Sequence, residues 1–132
     1  MEKTRVLIDT NVLIKLFRGN KTVEKHLKSI GNGNIIVSDI TIIEMLVGCT
    51  SVNKRKDFEE QLKAYGKAIV DKDIIEKTKT LIRRYAPINE KPIQIPDMII
   101  ASNAIWENIE LLTYNKKDFE FIKELKFHKF SK

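Results

Sequence analysis

Asp9 in VLIDTNVLI, Glu44 in TIIEMLVG and Asp97 in IPDMIIAS each stand among aliphatic residues, and Asp118 closes the segment LLTYNKKDF. A carboxylate in a segment heading for a core needs water, a proton or a cation to offset its lost hydration. One bound divalent cation would satisfy all four together. The chain carries 18 Asp and Glu, most of which belong on a solvated surface. Taken singly, each of these four also fits a helix cap or a hydrogen-bonded buried acid; at the ends of successive apolar runs they favour a shared site. Several carboxylates with no convergent Cys or His form the donor set of a hard cation, Mg²⁺ or Mn²⁺, as one or two ions per site, and disfavour zinc. Without a cation such a cluster repels itself and raises at least one carboxyl pKa.

The elements that must position these acids follow from hydrophobic period. Residues 5–8 are expected to form a short buried strand, with Asp9, Thr10 and Asn11 capping a helix whose apolar face holds Val12, Leu13, Leu16 and Phe17. Val23, Leu27 and Ile30 continue at helical spacing until Gly31-Asn32-Gly33-Asn34 stops the segment. Residues 35–37 form a second strand, and Ser38 or Asp39 caps a largely buried helix carrying Glu44 and ending at Gly48. A polar amphipathic helix is expected over 51–66, a short strand at 68–70 and a helix over 74–85 capped by Asp71. Pro87, Pro92 and Pro96 make 86–96 an ordered loop, after which Asp97 falls near a helix amino end, where backbone N–H groups favour negative charge. Residues 111–113 form the last strand. Strands alternating with helices predict an α/β fold with a parallel sheet, in which ligands bind outside the carboxyl ends of the strands.

Size and composition agree with one domain over residues 1–132: 15.3 kDa suffices for a hydrophobic core without disulfides. No apolar run reaches membrane-spanning length, and the amino terminus shows no secretory pattern, so a cytoplasmic protein without membrane contact is expected. Cys49 is read as a packed thiol. The formal net charge of +6 and a pI near 9.4 favour a polyanionic partner such as nucleic acid.

Four motifs in order carry a resemblance over nearly the whole chain: L-I-D-T-N at 7–11, S-x-x-T-x-x-E-x-L-x-G at 38–48, D-x-x-I-A-S at 97–102 and T-x-N-x-x-D-F at 113–119. With these the chain resembles PIN-domain proteins, and within that group the VapC-type toxins of bacterial toxin–antitoxin pairs. The resemblance implies a single-domain α/β/α sandwich around a parallel sheet and a metal-dependent endoribonuclease. Asp9, Glu44 and Asp97 match the family's three acidic site positions, Asp118 the fourth, and Thr10, Asn11, Thr113 and Asn115 polar positions near the pocket. It also implies a homodimer and an antitoxin protein that covers the active site.

Phosphodiester hydrolysis needs an activated water and neutralisation of the charge growing on the phosphate, both of which carboxylate-held Mg²⁺ supplies. Asp9 and Asp97 are the main expected ligands. Lys15, Arg18, Lys54, Arg55, Lys116 and Lys117 are candidates to hold an RNA backbone, although each also reads as ordinary solvated surface. Trp106 and the tyrosines could stack on bases, but a lone aromatic at helical spacing is more often core or interface. His26 and His128 lack a paired Ser or Cys for a nucleophilic triad and are read as structural or surface residues. Two rivals remain. A phosphatase using Asp9 as covalent nucleophile would want a second Asp at position 11, which is Asn11. A non-catalytic RNA-binding or protein-interaction module on the same fold has no need of four intact acids.

Overall fold

The computed structural model describes residues 4–129. Its centre is a four-stranded parallel sheet of β1 (Val6–Ile8), β2 (Ile35–Ser38), β3 (Gly66–Ala68) and β4 (Glu110–Leu112), in the order β3-β2-β1-β4. Every residue of β1 and β2 is buried, as central parallel strands covered on both faces require. Leu7 pairs with Ile36 on one side and Leu111 on the other. Alternation then sends Leu7, Ile36 and Leu111 to one face and Val6, Ile8, Ile35, Val37 and Leu112 to the other.

Among the described residues six helices flank the sheet. The second face packs on α1 (Thr10–Phe17), α2 (Lys21–Ile30) and α4 (Val52–Leu62) through Val12, Leu13, Val23, Leu27, Phe58 and Leu62. The first packs on α5 (Lys72–Tyr85) and α6 (Ile95–Glu107) through Leu81, Tyr85, Met98, Ala101 and Ala104, with Phe119 and Ile122 closing the core. The remaining helix, α3 (Asp39–Val47), follows β2. The expected α/β/α sandwich is therefore what forms. Side chains cap three helix starts, the one at Asp71 as expected: Asn20 accepts from Val23 N at 3.0 Å, Ser51 from Lys54 N at 3.1 Å and Asp71 from Ile74 N at 3.1 Å.

Some boundaries differ from expectation. Gly19, at φ 83°, and the Asn20 cap break what the hydrophobic spacing ran together into α1 and α2. The fourth helix stops at Leu62, four residues early. The third strand uses 66–68 rather than 68–70, because pairing of Ile36 with Gly66 and of Ser38 with Ala68 sets its register and leaves Ile69 60% exposed. Helix α3 is not largely buried: Thr41 is its buried residue, while Ile43 and Val47 are 55% and 83% exposed. Trp106 is exposed, Cys49 is half-buried, and Thr113 lies one residue past β4.

Two features fix α6 and the carboxyl-terminal segment. Ser38 Oγ donates to Asn103 Oδ1 at 2.6 Å and Asn103 Nδ2 donates to the Ile69 carbonyl at 2.9 Å, so α6 is tied to β2 and to the chain beyond β3. Residues 126–128 line β4: Leu111 N donates to Lys126 O at 2.9 Å and His128 N to Leu111 O at 2.8 Å. His26 and His128 have a structural setting, in contact with each other. Among the described residues no helix is long and apolar enough to cross a membrane.

The chain steps from β1 outward through β2 to β3, then returns to lay β4 on the opposite side of β1. The β1–β4 boundary is thus the topological switch point, outside whose carboxyl ends α/β sheets bind ligands.

Candidate active site

Asp9 stands at that boundary. Its backbone N donates to the Leu112 carbonyl at 2.9 Å, extending the β1–β4 pairing by one step, and its side chain caps α1 by accepting from Thr10 N at 2.8 Å. The other carboxylate oxygen, Oδ2, accepts from Thr113 Oγ1 at 2.8 Å. Thr113 Oγ1 itself receives Asn115 N at 3.0 Å and Asn11 Nδ2 at 3.4 Å. Those two incoming donors direct the Thr113 proton to Asp9. Asn11 Oδ1 in turn accepts from Tyr114 N at 3.3 Å, so residues 113–115 are laced to the start of α1.

A parallel arrangement holds Glu44. Thr10 Oγ1 donates to Glu44 Oε1 at 2.7 Å and lies 3.0 Å from the Thr41 hydroxyl. A hydroxyl has one proton, and the carboxylate takes that of Thr10, so the fully buried Thr41 donates into Thr10. Thr41 was missed as a site residue; its signal was the Thr one turn before Glu44 in S-x-x-T-x-x-E.

Asp97 occupies the first turn of α6, half-buried, and Asp118 is exposed on the 3₁₀ turn Lys116–Asp118. Burial first, then the charges of Asp9, Asp118 and Glu44, push the Asp97 carboxyl up to about 7. Burial also raises Asp9, against the hydrogen bonds of Thr113 and Thr10, with Glu44 and Asp118 adding to the rise. The four acids therefore share one electrostatic field.

Their accessible sides divide between two clefts. Asp97, Asp118 and Lys117 line one of about 660 Å³, walled by the loop residues 88–94. Glu44, Arg18 and Lys54 line another of about 520 Å³. Asp9 is 5% exposed and couples electrostatically to acids of both. Of the other basic candidates, Arg55 pairs with Glu59 at 3.5 Å, Lys15 lies over the Tyr114 ring at 5.2 Å, and Lys116 lies over Phe127 at 5.2 Å.

Among the described residues no three Asp, Glu, His or Cys side chains are already gathered to coordination distance. The donor chemistry nevertheless fits a hard divalent cation. All four donors are carboxylates, and their mutual repulsion, expressed at Asp97, is what a cation relieves.

Residues 6–125 match the model of the PIN domain. The chain is 30% identical over 128 residues to a protein named Ribonuclease VapC1 of Rickettsia felis, covering 91% of this chain and 92% of that one. It is 28% identical over 123 residues to another Ribonuclease VapC1, of Methanocaldococcus jannaschii, covering 93% and 85%. Among solved structures it is similar to a toxin–antitoxin complex from Klebsiella pneumoniae, with TM-score 0.75 and 29% identity over 91% of this chain and 94% of that one. The fold also matches VapBC2 of Rickettsia felis bound to a promoter DNA fragment, with TM-score 0.82 and 21% identity over 97% and 100%. With its sandwich, its four coupled acids and a family match spanning most of its length, the chain belongs to the PIN-domain family.

Proposed function

We propose that the protein is a Mg²⁺- or Mn²⁺-dependent endoribonuclease, the toxin of a toxin–antitoxin pair, working as a homodimer restrained by its antitoxin. The observation that carries this reading is the set of four mutually coupled carboxylates at the switch point of a PIN domain. The relatives named ribonucleases and the similar toxin–antitoxin complex support it.

Asp9 and Asp97 are the principal ligands, Glu44 joins directly or through water, and Asp118 completes a second ion position or orients the attacking water. When bound, the cation lowers the pKa of a water and offsets the charge that develops on the phosphate. Thr113 and Thr10 each hold one carboxylate rotamer with a proton whose direction is set by a further donor. Such fixed outer partners keep the carboxylates oriented between turnovers. Lys117, beside Asp97 and Asp118, meets the backbone of the RNA on one side, and Arg18 and Lys54 do so beside Glu44.

The test is incubation of total cellular RNA with purified, antitoxin-free protein and Mg²⁺ or Mn²⁺, beside an EDTA control and Asp9→Asn. Discrete products that need the ion and vanish in the variant are expected, and mapping their ends identifies the target. Equal cleavage by Asp9→Asn would sink the mechanism. RNA binding without turnover in the parent would favour the binding-module reading.

A further inference from the structure

On the sheet edge formed by β4, three side chains that the nuclease reading does not use come together. His26, on α2, is 9% exposed, and its Nε2 lies 3.2 Å from Nε2 of His128 in the carboxyl-terminal segment, 102 residues away in sequence. The other ring nitrogen of His128, Nδ1, is 3.1 Å from Glu110 Oε1 on β4. We propose that His26 and His128 form a site for a borderline-soft divalent ion, Zn²⁺, chelated by their two facing Nε2 atoms, with Glu110 as the carboxylate behind His128.

Two distances suit such a site. Zinc binds imidazole nitrogen at about 2.0–2.1 Å, so two nitrogens 3.2 Å apart subtend an angle of about 100° at the ion, close to tetrahedral. A ligating imidazole commonly donates its second N–H to a carboxylate, which fixes the tautomer and strengthens the metal-bound nitrogen, and Glu110 stands in that place. The donor atoms are nitrogens, which distinguish this site chemically from the all-oxygen cluster around Asp9. Solvent supplies the remaining ligands, so the affinity is that of a two-histidine chelate.

Both ends are held by the fold. His26 belongs to a capped helix packed on the sheet, and His128 N donates to Leu111 O beside the Leu111–Phe127 pairing. A bound ion joins α2 to the segment running along β4 and closes a loop of most of the chain, which disfavours the unfolded state.

The experiment is Zn²⁺ titration of the full chain by calorimetry and thermal melting in a large excess of Mg²⁺, which occupies the carboxylate cluster. The parent is expected to bind one Zn²⁺ per chain and to gain about 10 °C in Tm at a hundredfold excess over Kd. His128→Gln and His26→Gln, checked as folded by circular dichroism, lose both signals. Glu110→Gln weakens Zn²⁺ about tenfold, and Asp9→Asn binds as the parent does. The proposal is overturned if the parent shows neither heat nor Tm rise, if His128→Gln binds like the parent, or if Asp9→Asn abolishes binding. The first of these outcomes leaves the two rings as a hydrogen-bonded pair.

Discussion

Thr41 makes no contact with a carboxylate, yet the hydroxyl that does touch Glu44 depends on it. Without the Thr41 hydroxyl, Thr10 Oγ1 loses the proton it accepts, and the 2.7 Å hydrogen bond it donates to Glu44 loses the polarisation that a chain of hydrogen bonds supplies. Thr41→Val keeps the shape of this fully buried side chain. It is expected to lower kcat for RNA cleavage about tenfold with KM little changed, and Thr41→Ser to restore it. A Val variant with parental kcat would remove Thr41 from the site. A second prediction concerns Asp97, whose carboxyl titrates at 3.8 when unfolded and about 7 when folded. Between those values the native state keeps a proton that the unfolded state has released, so stability falls as pH rises through the window and levels off above it. In EDTA, Asp97→Asn is expected to melt above the parent at pH 8, with the gap narrowing toward pH 5. Mn²⁺ is expected to raise the Tm of the parent at pH 8 and not that of the variant. A parent whose melting temperature follows the variant's at every pH would show that Asp97 is not held protonated by burial and the neighbouring acids. At this scale Asp9, Glu44 and Asp97 were legible because aliphatic neighbours made their charges conspicuous. Thr41 was not, because a threonine in an apolar helix looks like filler until the fold brings residue 10 beside it.

Elements were legible where one period ran unbroken and a cap followed, as at α5, where Asp71 meets Ile74 N. They were misread where backbone conformation or pairing overrode the side-chain pattern. Leu16, Phe17, Val23 and Leu27 read as a continuous apolar face, but Gly19 adopts φ 83° and turns the chain between two helices. No hydrophobic pattern reports a positive φ. Likewise Ala68-Ile69-Val70 has the composition of a strand. The sheet instead uses Gly66, whose missing Cβ would sit 2.6 Å from Ile36 Cδ1. Helix α3 looked buried because it is apolar; two of its large side chains face solvent. Gly19 offers the test at this scale. Nothing lies within 4 Å of a Cβ built there, so Gly19→Ala meets backbone strain and no clash, and is expected to cost about 1 kcal/mol in urea unfolding. Gly19→Asn should cost less, since Asn tolerates the left-handed region better. At saturating RNA and well below Tm the cleavage rate is expected to stay parental, because Thr10 and Asn11 anchor the acids at the opposite end of α1, and any shift of the neighbouring Arg18 falls on KM. Equal stability of Ala and Gly at position 19 would mean that the turn relaxes without cost.

Across the whole molecule, a net charge of +6 coexists with four acids collected at one end of the sheet. For the proposed RNA substrate, long-range attraction would come from the surplus of Lys and Arg, but it is screened within about 8 Å at physiological salt. On the proposed reading, affinity would then depend on the few cations that reach phosphates while an ion occupies the acids. Arg55 is engaged by Glu59, and Lys15 and Lys116 lie over aromatic rings. Lys117 lines the same cleft as Asp97 and Asp118. Each phosphate contact to single-stranded RNA releases counterions and contributes about 0.7 to the slope of log Kd against log salt. In an Asp9→Asn background, expected to bind RNA without cleaving it, Lys117→Ala is expected to reduce that slope by about 0.7, and Arg55→Ala to leave it unchanged. Fluorescence anisotropy of a labelled oligoribonucleotide across a salt series measures both. If the two substitutions lower the slope equally, RNA is held by diffuse charge over the whole surface rather than by the rim of the acidic cleft.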